Sequence, residues 1–168
     1  MKRHLMIGVL VASLLCGAAW AEGEEAEEFG GWYAGASAQL VLPQGGARMR
    51  RLGGGAARVG CYATDALAFE CEAAWLEDRV GLAARALWHL HGWEEFDKLF
   101  GYERFDPFVT AGARGWIGRG QVGPSAGVGA VYYLTDEWAI RAEADATLGV
   151  DADPAMVYSV SVGVQYSF

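Results

Sequence analysis

Eight stretches of the chain alternate in steps of two, and in each of them one parity carries no charge. The first spans about 32–42. Trp32, Ala34, Ala36, Ala38, Leu40 and Leu42 share one parity; Tyr33, Gly35, Ser37, Gln39 and Val41 share the other. The rest cover about 54–63, 66–76, 79–91, 107–117, 121–134, 137–148 and 156–168. A period of two is the signature of a β-strand, whose successive side chains point to opposite faces. The second parity holds Gly and Ser with charges of both signs: Arg58, Glu70, Glu72, Arg85, Arg114, Arg141, Glu143 and Asp145.

A soluble β-sandwich would bury the charge-free face in a shared core. A membrane barrel would turn it to lipid, with aromatics near the strand ends. Trp32, Trp75, Trp88, Trp138, Tyr132, Tyr166 and Phe168 sit at or near segment ends. Small residues with opposed charges suit a narrow interior filled by side chains, and many of the 24 glycines fall on that parity. Eight spanning strands of nine to eleven residues need roughly 70 to 90 residues. In lipid such a sheet must close, because an open edge would leave backbone N–H and C=O groups without partners. The alternation therefore predicts an all-β chain, an eight-stranded antiparallel transmembrane β-barrel. An interior of this size leaves no room for a large pore.

The N-terminal end follows another pattern. Met1-Lys2-Arg3-His4 is positive, residues 5–16 are apolar apart from Ser13, and Ala19-Trp20-Ala21 fits a small-x-small cleavage rule. This is a secretory signal pattern. The apolar core is too short for a spanning helix, which needs ~20 residues. A lipoprotein signal ending at Cys16 would want a small residue before the Cys, where Leu15 stands. The expected organisation is a signal peptide at 1–21, an acidic segment at 22–29 and the barrel at 30–168. No separate peptidoglycan-binding domain is expected after it. The whole chain has a net charge of −8; losing Lys2 and Arg3 with the signal makes it −10. That balance, with no long basic stretch, argues against nucleic acid.

Several segments resemble small outer-membrane β-barrel proteins of the eight-stranded OmpA/OmpX-like kind. Val160, Val162, Val164, Tyr166 and terminal Phe168 resemble the sorting signal read by the outer-membrane β-barrel assembly machinery. Gly60-Cys61-Tyr62-Ala63-Thr64-Asp65 leading into Leu67 and Glu70 resembles a recurring turn of that family, and Thr135-Asp136 repeats it. Trp32-Tyr33-Ala34-Gly35-Ala36 and Pro107-Phe108-Val109-Thr110-Ala111-Gly112-Ala113 resemble its first and fifth strands. The resemblance implies an outer-membrane location with both termini in the periplasm. Connections 43–53, 77–79, 118–120 and 149–155 would then face outward, and 64–65, 92–106 and 135–136 the periplasm. Family members usually carry the long loops outside; here the longest connection is on the periplasmic side, where Trp93, Phe96, Leu99 and Phe100 have helical spacing.

Candidate chemistry is sparse. Cys61 and Cys71 share a parity, and a hairpin turning near Ala66 would bring them nearly opposite, so a disulfide is one reading in an oxidising periplasm. Two small apolar residues facing lipid are the other. His89 and His91 share a face, but no third metal ligand is evident. The pairs Glu70/Glu72 and Glu143/Asp145 could do acid–base work, or join Arg58, Arg85, Arg114 and Arg141 in a structural charge network. No His-x-Ser suggests a lipid hydrolase, and no catalytic residue or cofactor is assigned. Arg48, Arg50 and Arg51 could touch lipopolysaccharide phosphates or be solvated. The expected role is structural or interaction-type, as a monomer among outer-membrane lipids and lipopolysaccharide. A small channel and a lipid-modifying enzyme are the alternatives.

Overall fold

The computed structural model describes residues 31–43, 52–77, 79–90, 104–117, 121–149 and 156–168. The expected signal peptide, the acidic segment, His91, the helically spaced aromatics at 93–100 and the loop arginines at 48–51 lie outside these residues. Eight strands follow one another: β1 Trp32–Pro43, β2 Leu52–Thr64, β3 Leu67–Leu76, β4 Arg79–His89, β5 Phe105–Ile117, β6 Gln121–Tyr133, β7 Trp138–Leu148 and β8 Met156–Ser167. Each pairs antiparallel with its sequence neighbour, and β8 pairs with β1, closing the barrel.

The register fixes the geometry. Opposed residues lead from Tyr33 through Gly60, Glu70, Arg85, Gly112, Ser125, Thr147 and Val157 to Pro43. One circuit thus ends ten residues farther along β1 (43 minus 33), which is the shear of the barrel. Such a stagger tilts the strands by about 40°. An 11-residue strand such as β7 then rises about 28 Å along the axis, enough for the apolar band of an outer membrane.

Faces follow parity. Outward strand positions carry no charge among the described residues, and their middle is rich in Ala and Val, with Val128 at 59% and Val162 at 54% exposure. One rim gathers Trp32, the β2–β3 turn, the β4–β5 and β6–β7 connections and Phe168. Around it stand the exposed aromatics Trp32, Trp88, Tyr132, Trp138 and Phe168, while Trp75 stands near the other rim. Tyr166 packs edge-on between Trp138 and Phe168, at 4.9 and 5.1 Å between ring centres.

Inward glycines make room for inward rings. Tyr33 faces Gly60, Trp116 faces Gly81 and Phe108 faces Gly129 across strand pairs. A Cβ on Gly60 would sit 2.3 Å from the Tyr33 ring, and one on Gly129 2.4 Å from Phe108. The ring replaces the missing side chain in both packing and shielding.

Three expectations need correction. β5 begins at Phe105, so Phe105 and Asp106 belong to a strand rather than to a connection at 92–106, and β4 ends at His89 rather than His91. The cysteines do not face each other: Cys61 opposes Phe69, and Cys71 opposes Val59. The Thr64 hydroxyl accepts the Leu67 N–H at 3.1 Å and tightens the turn, and an irregularity between Tyr62 and Thr64 takes up one residue of β2. The ladder therefore runs two residues away from the register a direct cross-strand bond requires.

Candidate functional site: the ionic interior

The chemistry of this molecule lies inside the barrel, because strand parity sends every charge of the described strand centres there. β2 contributes Arg58, β3 Glu70 and Glu72, and β4 Arg85. β5 contributes Arg114, and β7 contributes Arg141, Glu143 and Asp145. All eight are buried, between 2% and 7% exposed. Four guanidinium groups thus meet four carboxylates, and their formal charges cancel.

Neighbouring strands supply some pairs directly. Glu70 opposes Arg85, and Arg58 opposes Glu72. Arg85 donates to Glu70 at 2.5 Å and Glu72 at 3.0 Å, and also to Glu143. Other pairs join strands that are not neighbours, and Arg141 also bonds Glu143 of its own strand. Arg141 reaches Glu70 at 2.5 Å and Glu143 at 2.7 Å. Arg58 reaches Glu143 at 3.1 Å, and Arg114 reaches Glu72 at 2.9 Å and Asp145 at 2.7 Å. Small hydroxyls fill remaining sites: Arg58 donates to Ser37 at 2.8 Å, Arg114 to Ser159 at 2.9 Å, and Ser159 to Asp145 at 2.6 Å. Buried charges are tolerable only with this degree of pairing.

A second layer lies between the ions and the rim that carries Trp32 and Phe168. Tyr33, Ala68, Leu87, Phe108, Val131 and Ala139 form an apolar cluster, with Tyr62 and Tyr133 packed against it. Two contacts join the layers. The Tyr33 hydroxyl donates to Glu70 at 2.9 Å, and the Arg141 guanidinium lies 4.6 Å from the centre of the Phe108 ring. His89 is buried with its Nδ1 2.6 Å from Asp106 Oδ2, and its ring packs against Tyr62 and Phe108.

Sequence reasoning named the eight charged residues but not this second layer. Counting in twos from Arg85 reaches Leu87 and His89, and from Arg114 reaches Phe108 and Asp106; an apolar residue on the polar parity was the available signal. Among the described residues no group of three or more His, Cys, Asp or Glu could hold a metal ion. The carboxylate pairs Glu70/Glu72 and Glu143/Asp145 are saturated by arginine. Val160, Val162 and Val164 lie on the outward face of β8, which pairs with β1.

No protein-family model matches the chain, and no curated protein matches it in sequence. Solved structures do match it in fold. A de novo designed transmembrane β-barrel aligns with a TM-score of 0.62 and 13% identity, over 84% of this chain and 98% of its own. Neisserial surface protein A gives 0.59 and 14%, over 82% and 97%. The N-terminal β-barrel domain of Pseudomonas aeruginosa OprF gives 0.56 and 17%, over 81% and 97%. The chain has the fold of the small eight-stranded transmembrane β-barrels found in outer membranes.

Proposed function

We propose that this chain is an integral outer-membrane protein with a structural or interaction role, its lumen closed by its own side chains. The observation that carries this is the neutral layer of four arginines and four carboxylates, each held by several partners, backed by the Tyr33–Phe108 cluster. An ion crossing the lumen would have to displace charge pairs from each other, at high cost in a low-dielectric interior. The apolar outward face with its aromatic rim fits acyl chains and headgroup boundaries. Outer-membrane lipids and lipopolysaccharide are its surroundings, with the termini on the periplasmic side and the barrel acting as a monomer. The β8 pattern from Val160 to Phe168 suits recognition by the β-barrel assembly machinery during insertion. A lipid-modifying enzyme is disfavoured because His89 is buried in the lumen and engaged with Asp106, away from the lipid-facing surface.

The test is insertion of purified, refolded protein into planar bilayers. No single-channel current is expected at neutral pH, together with heat-modifiable gel migration and extraction only by detergent. Steady conductance would make it a channel; recovery as a detergent-free soluble monomer would remove it from the membrane.

A further inference from the structure

Among the described residues the β6–β7 ladder is the shortest in the barrel. It ends at Ser125 opposite Thr147, although β6 begins at Gln121 and β7 runs to Leu148. On their other sides both strands stay paired to the rim: β6 with β5 as far as Gln121 opposite Trp116, and β7 with β8 as far as Leu148 opposite Met156. The cause is Pro124. In an antiparallel strand the N–H and C=O of one residue point to the same neighbour, and successive residues alternate. The Leu134 N–H donates to the Trp138 carbonyl on the β7 side, and the Tyr133 N–H to the Arg104 carbonyl on the β5 side. Counting back in twos from Leu134, position 124 faces β7, and a proline has no N–H to give. The Leu148 carbonyl oxygen does stand against β6 here; it is the nearest atom to a Cβ built on Gly123. Ion pairs do not make up the loss, because β6 carries no charged side chain. Instead Arg114 of β5 bonds Asp145 of β7 at 2.7 Å, passing over the inward face of β6 between Gly123 and Gly127, the residues that oppose them.

We propose that the outer ends of β6 and β7 form a seam that parts and recloses as a local opening set by Pro124, while the Arg114–Asp145 bond holds β5 to β7 and keeps the lumen shut behind it. Local openings begin where the fewest backbone bonds and side-chain contacts hold an element in place. The other seams keep their ladders to the rim or close in a two-residue turn, so the wall opens at this one first. This goes beyond the proposed function and rests on the fold and its register.

Amide hydrogen exchange of the protein refolded in lipid nanodiscs, read by NMR, tests this. The Leu148 N–H faces β6, since counting in twos from the Trp138 carbonyl reaches it. At the same rim the Leu42 and Trp116 N–H groups face the β1–β8 and β5–β6 ladders, which pair them with Tyr158 and Gln121. Leu148 is expected to exchange faster than both. Pro124→Ala restores an N–H to the seam; one backbone hydrogen bond regained should slow exchange at Leu148 by about tenfold, with Leu42 and Trp116 unchanged. Equal exchange at Leu148, Leu42 and Trp116 in the unmodified chain overturns the proposal whatever the variant does. So does a Pro124→Ala protein that keeps its heat-modifiable migration on gels and exchanges at Leu148 as fast as before. Should Pro124→Ala fail to fold, the comparison within the unmodified chain decides alone.

Discussion

Arg85 shows what a single residue does in this lumen. It bonds Glu70 and Glu72 of β3 and Glu143 of β7, so it ties a sequence-adjacent hairpin to the far side of the barrel. Arg85→Ala would leave four buried carboxylates sharing three arginines, and should lower unfolding stability by about 3–5 kcal/mol in a urea titration in lipid vesicles. Adding Glu143→Gln to that variant should restore part of the loss, because one uncompensated charge is removed. The identity of the charged residues was legible from parity and sign alone. Their partners were only half legible. Glu70 with Arg85 follows from a short hairpin, whereas Arg141 with Glu70 is 71 residues apart in sequence and depends on closure. Asp106 escaped notice because it was read as part of a connection, and with it the His89 contact.

At the level of strands and turns, the alternation located all eight strands and the two Thr-Asp turns. Both turns use the threonine hydroxyl as an acceptor: Thr64 for Leu67 N–H, and Thr135 for the N–H groups of Glu137 and Trp138 at 3.3 and 3.0 Å. The irregularity near Tyr62 was not legible, since a one-residue shift leaves the hydropathy pattern of the strand unchanged, and the cysteine register went with it. The β3–β4 turn is as short as the β2–β3 turn, with Leu76 opposite Arg79 and Glu77 at a φ of 44°. A left-handed backbone suits Asn or Gly far better than Glu. Glu77→Asn is therefore expected to raise stability by up to about 1 kcal/mol, read as a higher urea midpoint. Gly60→Ala should do the opposite. Its methyl would meet the Tyr33 ring, and any shift of that ring strains the Tyr33–Glu70 bond, so a loss of about 1–3 kcal/mol is expected in the same titration.

For the whole molecule, closure with a shear of ten is what turns alternating strands into two separate environments, a charge-free surface and an ionic lumen. Where the charges sit along the chain has a consequence of its own. The first four strands bring Arg58 and Arg85 against Glu70 and Glu72; the last four bring Arg114 and Arg141 against Glu143 and Asp145. Each half of the barrel therefore balances its own ionic-layer charge before the halves meet. A chain severed within 91–103 would yield two four-stranded fragments, neither carrying surplus charge from that layer into the bilayer. Co-refolded in vesicles, they are expected to complement each other into a heat-modifiable barrel. Severing at 118–120 instead leaves one surplus arginine in the first fragment and one surplus carboxylate in the second, and complementation should be poorer. Equal yields from the two cuts would show that the even division of charge has no part in assembly.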